Sequence, residues 1–392
     1  MYKEVYMKQL PPLPDFDHCL VNLANSILKH FGARPTAPTL SMADEVLAED
    51  RRNVVILLLD GMGIYNIDLL LEPDGFFRSH LLGQYSSVFP PTTVAATTSI
   101  DTGLFPCEHS WLGWDCFFPE LKKNVTVYLN RDQMSELPLP PKNGEEFPPL
   151  AEQLPAADFH VAGKYCPYTS VVTKINDAGG KAYYSSPYAE PFPQDLDTIL
   201  ARITELCKNT EKKYIYAYWN EPDGCMHKTG VDSSETKATI LEIEKKVQAF
   251  AESLPEDTLL FITADHGHIN NERLCILDYP EIMKCLERLP SIEPRALNLF
   301  VKDEYKEIFP VLFEKTFGDK FCLLPKTEVI EKGIFGKGNE HAVFRDMLGD
   351  YLAISIAEVS LYNTHIEAAK MIGAHAGLTK EEWEIPLIVV KK

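Results

Sequence analysis

Apolar residues run unbroken from Val54 to Leu59 and stop at Asp60-Gly61-Met62-Gly63. A short aliphatic run with turn residues behind it predicts a buried strand over Asn53–Leu59. Similar runs predict strands at Gln84–Phe89, Phe159–Ala162, Tyr214–Trp219, Thr258–Thr263 and Ile385–Val390. Between them the spacing turns helical. Leu20, Leu23, Ala24, Ile27 and Leu28 share one stripe over Asp17–Phe31. Ile240, Ile243, Val247 and Phe250 do the same over Ser233–Leu254, which opens on polar Ser233-Ser234-Glu235. Val94–Gly103 and Leu196–Lys208 also read as helices. Strands alternating with helices of this length predict an α/β fold, with a mainly parallel central sheet between helices.

Two stretches break the rhythm. Residues from about 104 to 157 are rich in Pro and aromatics and read as irregular loops over one edge. Residues 284–362 carry their own strand and helix pattern: Ala296–Val301, Glu304–Phe317, Lys320–Leu324, Lys326–Lys332 and Tyr351–Ile356. The second stretch predicts an inserted α+β subdomain. Residues 1–283 together with 363–392 would form the core.

Composition narrows the class. The chain has 392 residues, 45% hydrophobic and 24% charged, which are globular values. No apolar run approaches the roughly 20 residues of a membrane helix, so no membrane partner is expected. The formal charge of −19 repels nucleic acid polymers and anionic lipid. An anionic substrate would therefore meet little favourable side-chain charge, which favours bound metal. Nine scattered cysteines without a CxxC pair do not suggest a disulfide framework. Met1 to Pro12 lacks a basic segment followed by an apolar core. A reducing, cytoplasmic location is the expectation. The pattern leaves the oligomeric state open.

Several predicted strands end in metal-type ligands. Asp60 follows the first; Asp223 and His227 follow Tyr214–Trp219; Asp265 and His266 follow the run ending at Thr263; His375 precedes the last strand. In an open α/β sheet, ligands bind at the carboxyl ends of strands. Each residue alone has a plainer reading as a turn, cap or buried histidine; together they outline one site. Three convergent carboxylates repel one another unless cations offset them. Two Zn²⁺ would balance them and an alkoxide, with Mn²⁺ as the alternative. A nucleophile is offered by Phe89-Pro90-Pro91-Thr92-Thr93, a strand end running into a helix N-terminus, where a hydroxyl meets the positive end of the dipole. The plainer reading is helix capping by Thr92 or Thr93.

Taken together, Leu59-Asp60-Gly61-Met62-Gly63, Phe89-Pro90-Pro91-Thr92-Thr93, Asp223-x-x-x-His227, Thr263-Ala264-Asp265-His266-Gly267 and His375 resemble the alkaline phosphatase superfamily. The threonine and the Asp-x-x-x-His spacing are similar to its type I phosphodiesterase/nucleotide pyrophosphatase branch. The resemblance implies that Asp60, Asp265, His266 and the Thr93 oxygen hold one metal, and that Asp223, His227 and His375 hold the other. It implies a two-metal phosphohydrolase that cleaves phosphodiester or nucleotide pyrophosphate bonds of a small phosphorylated substrate through a phospho-threonine intermediate, with Thr93 as nucleophile and Thr92 as fallback. One position departs. Where the branch has an Asn about 21 residues after the nucleophile, this chain has Trp114. Trp114 would then bind a base-like or apolar group, or Asn130 would supply the missing donor; Trp111 and Trp114 could equally be packing anchors. His268 and His109 are lesser candidates for the site.

Alternatives on the same scaffold are a phosphomonoesterase, a phosphonate hydrolase or a phosphomutase. No Arg lies between Phe89 and Phe118 to grip a monoester's extra charge, which leans toward a diester. No Cys-x-Pro-x-Arg segment supports a sulfatase. A non-catalytic metal-binding protein would be expected to have lost ligands, and all six are present.

Overall fold

A computed structural model describes residues 10–133 and 154–392. Positions 1–9 at the N-terminus, and the 134–153 part of the stretch read as loops, lie outside the described residues.

The central sheet has six strands. Their order is Leu81–Ser86, Glu384–Lys391, Thr258–Thr263, Asn53–Leu59, Lys213–Trp219 and Ala182–Ser185. The last four run parallel; Glu384–Lys391 is antiparallel to both of its neighbours. Every residue of Asn53–Leu59 is buried, as expected of a strand covered on both faces. Leu20–His30, Thr93–Thr102 and Val171–Asp177 pack together as one helical group. Leu196–Cys207 and Ser234–Ser253 form another.

Register positions the chemistry. Leu59 lies opposite Trp219, and Leu58 opposite Thr263. Three parallel strands thus end at one rim, and the polar residues after each are delivered there. The turn after Leu59 is tight: Gly61 has φ +76°, and a Cβ there would sit 3.1 Å from the Asp223 Cα. Only glycine suits both the conformation and the approach. The same closeness lets the Asp223 N–H donate to the Asp60 carbonyl at 3.1 Å.

A second sheet of seven antiparallel strands lies beside the first. Its order is Phe321–Pro325, Tyr351–Ser355, Ala296–Leu299, Ser291–Glu293, Asp115–Phe118, Lys123–Thr126 and Arg131–Asp132. Phe309, Phe313 and Phe317 fall on one face of helix Phe309–Phe317 and pack with Phe321 in a core of their own.

Here the structure corrects the sequence reading. The stretch after residue 104 supplies three strands to this sheet, and Ile292 pairs with Asp115 across the two segments. Phe159–Ala162 is not a strand. Val161–Tyr165 is a short helix, capped by His160 Nδ1 accepting the Gly163 N–H at 3.0 Å. Among the described residues no helix is long and apolar enough to cross a membrane. Among the described residues no disulfide joins any of the nine cysteines.

Candidate active site

The rim brings Asp60, Thr93, Asp223, His227, Asp265, His266 and His375 together. Thr93 opens its helix at the end of the Pro90-Pro91 bend. Its Oγ1 lies 3.2 Å from His266 Nε2 and 3.4 Å from each Asp60 oxygen. Thr92 faces elsewhere: its hydroxyl donates to Glu293 Oε1 at 2.6 Å. Of the two, Thr93 and not the fallback Thr92 sets its hydroxyl at the rim.

Around Thr93 stand two clusters with Asp223 common to both. Asp60, Asp223 and His266 form one; Asp223, His227, His268 and His375 form the other. His266 Nε2 lies 3.2 Å from Asp60 Oδ1 and 3.6 Å from Asp265 Oδ2. Asp223 Oδ1 lies 2.9 Å from His268 Nε2, 3.3 Å from His227 Nε2 and 3.7 Å from His375 Nε2. The rings of His266 and His375 stack across the gap at 3.8 Å.

Three of these imidazoles share one orientation. His227, His266 and His375 each set Nδ1 against a backbone carbonyl, of Gly373, Gly267 and Pro91, at 2.9, 3.0 and 3.1 Å. A Nδ1–H donated to a carbonyl leaves the Nε2 lone pair for a metal, the usual arrangement around metal-bound histidine.

The donor set fits divalent metal on further grounds. Asp265 is fully buried, and its Oδ2 has no hydrogen-bond partner. Burial, and then the charge of Asp223, pushes Asp60 well above the usual carboxylate range; burial and then Asp60 do the same to Asp265. Buried carboxylates that repel one another beside free imidazole nitrogens are what a cation relieves. Tyr218 donates its hydroxyl to Asp60 Oδ2, and the Gly61 and His266 N–H groups donate to Asp265 Oδ1, which orients the acids.

Other residues fall out differently. His268, given little weight by sequence, sits in the ligand cluster; its place in the same tight loop, two residues after His266, was the only signal. His109 is buried away from the rim, with Ser99 Oγ 3.0 Å from its Nε2. Trp114 is 42% exposed and lines the cleft beside Thr93, whereas Trp111 is buried with its indole N–H on the Cys166 carbonyl. Asn130 lines neither of the cavities that open from Thr93. Its Nδ2 donates to the Phe159 carbonyl, and its Oδ1 accepts the Val161 N–H, so both ends of the amide hold backbone. Cys225 points to the Thr229 and Thr236 hydroxyls.

Two cavities open from Thr93. One, of about 640 Å³, has tyrosine walls: Tyr128, Tyr168, Tyr184, Tyr188, Tyr216 and Tyr218. The other, of about 230 Å³, runs under the second sheet past His227 and His375. Thr93, Trp114 and Asp223 line both.

Residues 54–307 match the family Type I phosphodiesterase / nucleotide pyrophosphatase. The chain belongs to that family. With it comes membership of the alkaline phosphatase superfamily, whose enzymes include phosphoric ester hydrolases. Among solved structures, human ectonucleotide pyrophosphatase/phosphodiesterase 5 is similar at 17% identity and TM-score 0.63, over 86% of this chain and 87% of that one. An inactive Thr-to-Ala form of the murine protein, in complex with AMP, aligns at 17% identity and TM-score 0.62, over 85% and 87%. Phosphonoacetate hydrolase from Sinorhizobium meliloti 1021, in complex with phosphonoformate, aligns at 14% identity and TM-score 0.60, over 87% and 90%. At these identities the likeness is one of fold. None of the curated proteins matches the chain.

Proposed function

We propose that this family member is a two-metal phosphodiesterase that works through a phospho-threonine on Thr93. One observation carries the reading: Thr93 Oγ1 stands within 3.4 Å of both Asp60 and His266, at a helix N-terminus, beside a second cluster built on Asp223. Asp60, Asp265 and His266 would hold one divalent ion together with Thr93; Asp223, His227 and His375 would hold the other. Zinc suits this nitrogen and oxygen set, with manganese second. Bound there, the ions supply Lewis acidity and offset the charge of the transferring phosphoryl group.

The chain's own residues do the rest. The helix and the Pro-Pro bend hold Oγ1 in place for in-line attack, and the first turn of the helix presents N–H groups without intrahelical partners. In the first step the Thr93 hydroxyl gives up its proton, the Oγ1–P bond forms and the leaving-group O–P bond breaks, the departing oxygen taking up a proton. In the second, water adds to phosphorus, and the Thr93 Oγ1–P bond breaks to return the hydroxyl. The murine relative's Thr-to-Ala form, described as inactive, supports this role for the corresponding hydroxyl.

A diester is favoured over a monoester. Among the described residues no Lys or Arg lines either cavity. Arg295 is buried and engaged by Glu382 and by the Ala357 and Val359 carbonyls. The phosphonate hydrolase alternative has the fold of phosphonoacetate hydrolase behind it, but a carboxylated phosphonate would need a cationic grip that these walls lack.

The test is turnover of bis-p-nitrophenyl phosphate, p-nitrophenyl phosphate and a phenylphosphonate ester, with elemental analysis. About two metals per chain, preference for the diester, and loss of turnover with metals retained in Thr93→Ala are expected. Equal turnover by Thr93→Ala and the parent removes Thr93 from the mechanism.

A further inference from the structure

The smaller cavity differs in chemistry from its tyrosine-walled neighbour. Asp115, Glu293 and Glu367 line it, with Gln133, Ser360 and Asn363 between them. Asp115 accepts from the Thr126 hydroxyl at 2.6 Å and from Gln133 Nε2 at 2.8 Å. Glu293 Oε1 accepts from Thr92 and from the Trp114 N–H. Glu367 Oε2 accepts from Thr364. Acceptors outnumber donors. Ser360 is fully buried and its Oγ has no hydrogen-bond partner; Asn363 Oδ1, also buried, has none either. Buried polar atoms are rarely left unpaired without a ligand or water to meet them.

The three carboxylates do not converge on a common point: the only groups of close ligand atoms among the described residues are the two at the rim. The cavity is therefore not built to chelate a metal. It is built to receive hydrogen-bond donors.

Its position says which part of a substrate would enter. In an in-line displacement the leaving oxygen departs opposite the nucleophile. Thr93 Oγ1 sits against Asp60 and His266, so the far side is that of Asp223, His227 and His375, which line this cavity. The tyrosine-walled cavity, which Asp60 lines, is left for the group retained on phosphorus.

We propose that the acid-lined cavity is the leaving-group pocket, selecting an alcohol rich in hydrogen-bond donors, such as an amino alcohol or polyol, and turning away a leaving group that is itself a phosphate. The inference rests on the phosphodiesterase reading above. A departing phosphate brings negative charge to a wall of acidic side chains that holds, among the described residues, no Lys or Arg. Phosphate pockets ordinarily use Arg or Lys. An ammonium or hydroxyl group instead meets Asp115, Glu367, Ser360 and Asn363 as a donor meeting acceptors.

Binding separates this from leaving-group reactivity. Thr93→Ala protein with its native metals is titrated calorimetrically with two ligands sharing one retained group: the 2-aminoethyl ester of adenosine 5′-monophosphate, and adenosine 5′-diphosphate. The amino ester should bind more tightly by about tenfold or more. Glu367→Gln should narrow that ratio. Gln133→Lys, which adds a cation without removing a carboxylate, should narrow it too and guards against a misfolded Glu367 variant. Equal or tighter binding of the diphosphate, or a ratio unmoved in both variants, overturns the pocket assignment. Diester turnover by the parent, measured alongside, reports on the phosphodiesterase reading by itself: turnover retained with an unselective pocket sinks only this inference.

Discussion

Arg295 and Glu382 meet with no solvent exposure on either side chain, Nε to Oε1 at 2.7 Å and Nη2 to Oε2 at 2.8 Å. Burial pushes the Glu382 carboxyl up, but Arg295 and the Gly377 N–H outweigh it and hold the group below its ordinary range. The pair ties the second sheet to the site. Glu382 also accepts from the N–H groups of Gly377 and Thr379, beside His375, and its carbonyl accepts from Gly267, beside His266. Arg295→Leu should destabilise by about 3–5 kcal/mol, because it leaves a buried carboxylate alone. The double variant Arg295→Leu, Glu382→Leu should recover part of that loss in urea unfolding. A single variant as stable as the parent would show that the pair is dispensable.

Metal removal should act on stability as well as turnover. A ligand that binds only the folded chain at a thousandfold its Kd adds about 4 kcal/mol. Chelation followed by desalting should therefore lower the thermal midpoint and abolish diester turnover together, and zinc should restore both. Turnover that survives complete chelation, verified by elemental analysis, would remove metal from the reaction.

His268 should matter for metal affinity. Its Nε2 is the imidazole nitrogen nearest Asp223 Oδ1. Losing a residue that orients or supplements a metal ligand typically costs 10–100-fold in affinity. His268→Ala is expected to lose one of two metals to a competing chromophoric chelator at lower concentration than the parent. Identical competition curves would reduce His268 to packing.

Glu293 should leave a trace in the pH dependence of stability. Burial raises its carboxyl to about 7, from 4.5 in an exposed chain, with Asp115 adding a smaller push. The folded state holds this proton more tightly than the unfolded state does. Its contribution is complete below about pH 4.5 and is lost as pH rises through 7, a loss of up to about 3 kcal/mol. Glu293→Gln keeps an acceptor for Thr92 and Trp114 but cannot titrate. Between pH 5 and 7.5 its stability should fall less than that of the parent. Parallel profiles would place the titration elsewhere.

The core was legible because buried parallel strands print as unbroken apolar runs, and Asp60, Asp223 and Asp265 interrupt or follow those runs at the rim. The second sheet was not. Asp115–Phe118 and Lys123–Thr126 are four residues each, too short for a period to emerge. Ser291–Glu293, the partner that joins Asp115–Phe118 to the rest of the sheet, lies far along the chain, where no local pattern points back. Ala182–Ser185, another four-residue strand, went unmarked for the same reason. Phe159–Ala162 misled because a brief apolar run suits a strand or a helix, and the His160 cap decides it. Asn130 was misplaced because an amide's partners depend on loop geometry: with φ 53° it sits in the left-handed region, turned toward backbone.

Leu81–Ser86 pairs its backbone into the central sheet only through Glu384–Lys391, which lies between it and Thr258–Thr263. A nascent chain must therefore keep two raw strand edges apart while most of its length emerges. Such long-range closure is slow, and open edges invite pairing with other molecules. Chaperone dependence and low yield on rapid expression are the expected cost of that late join.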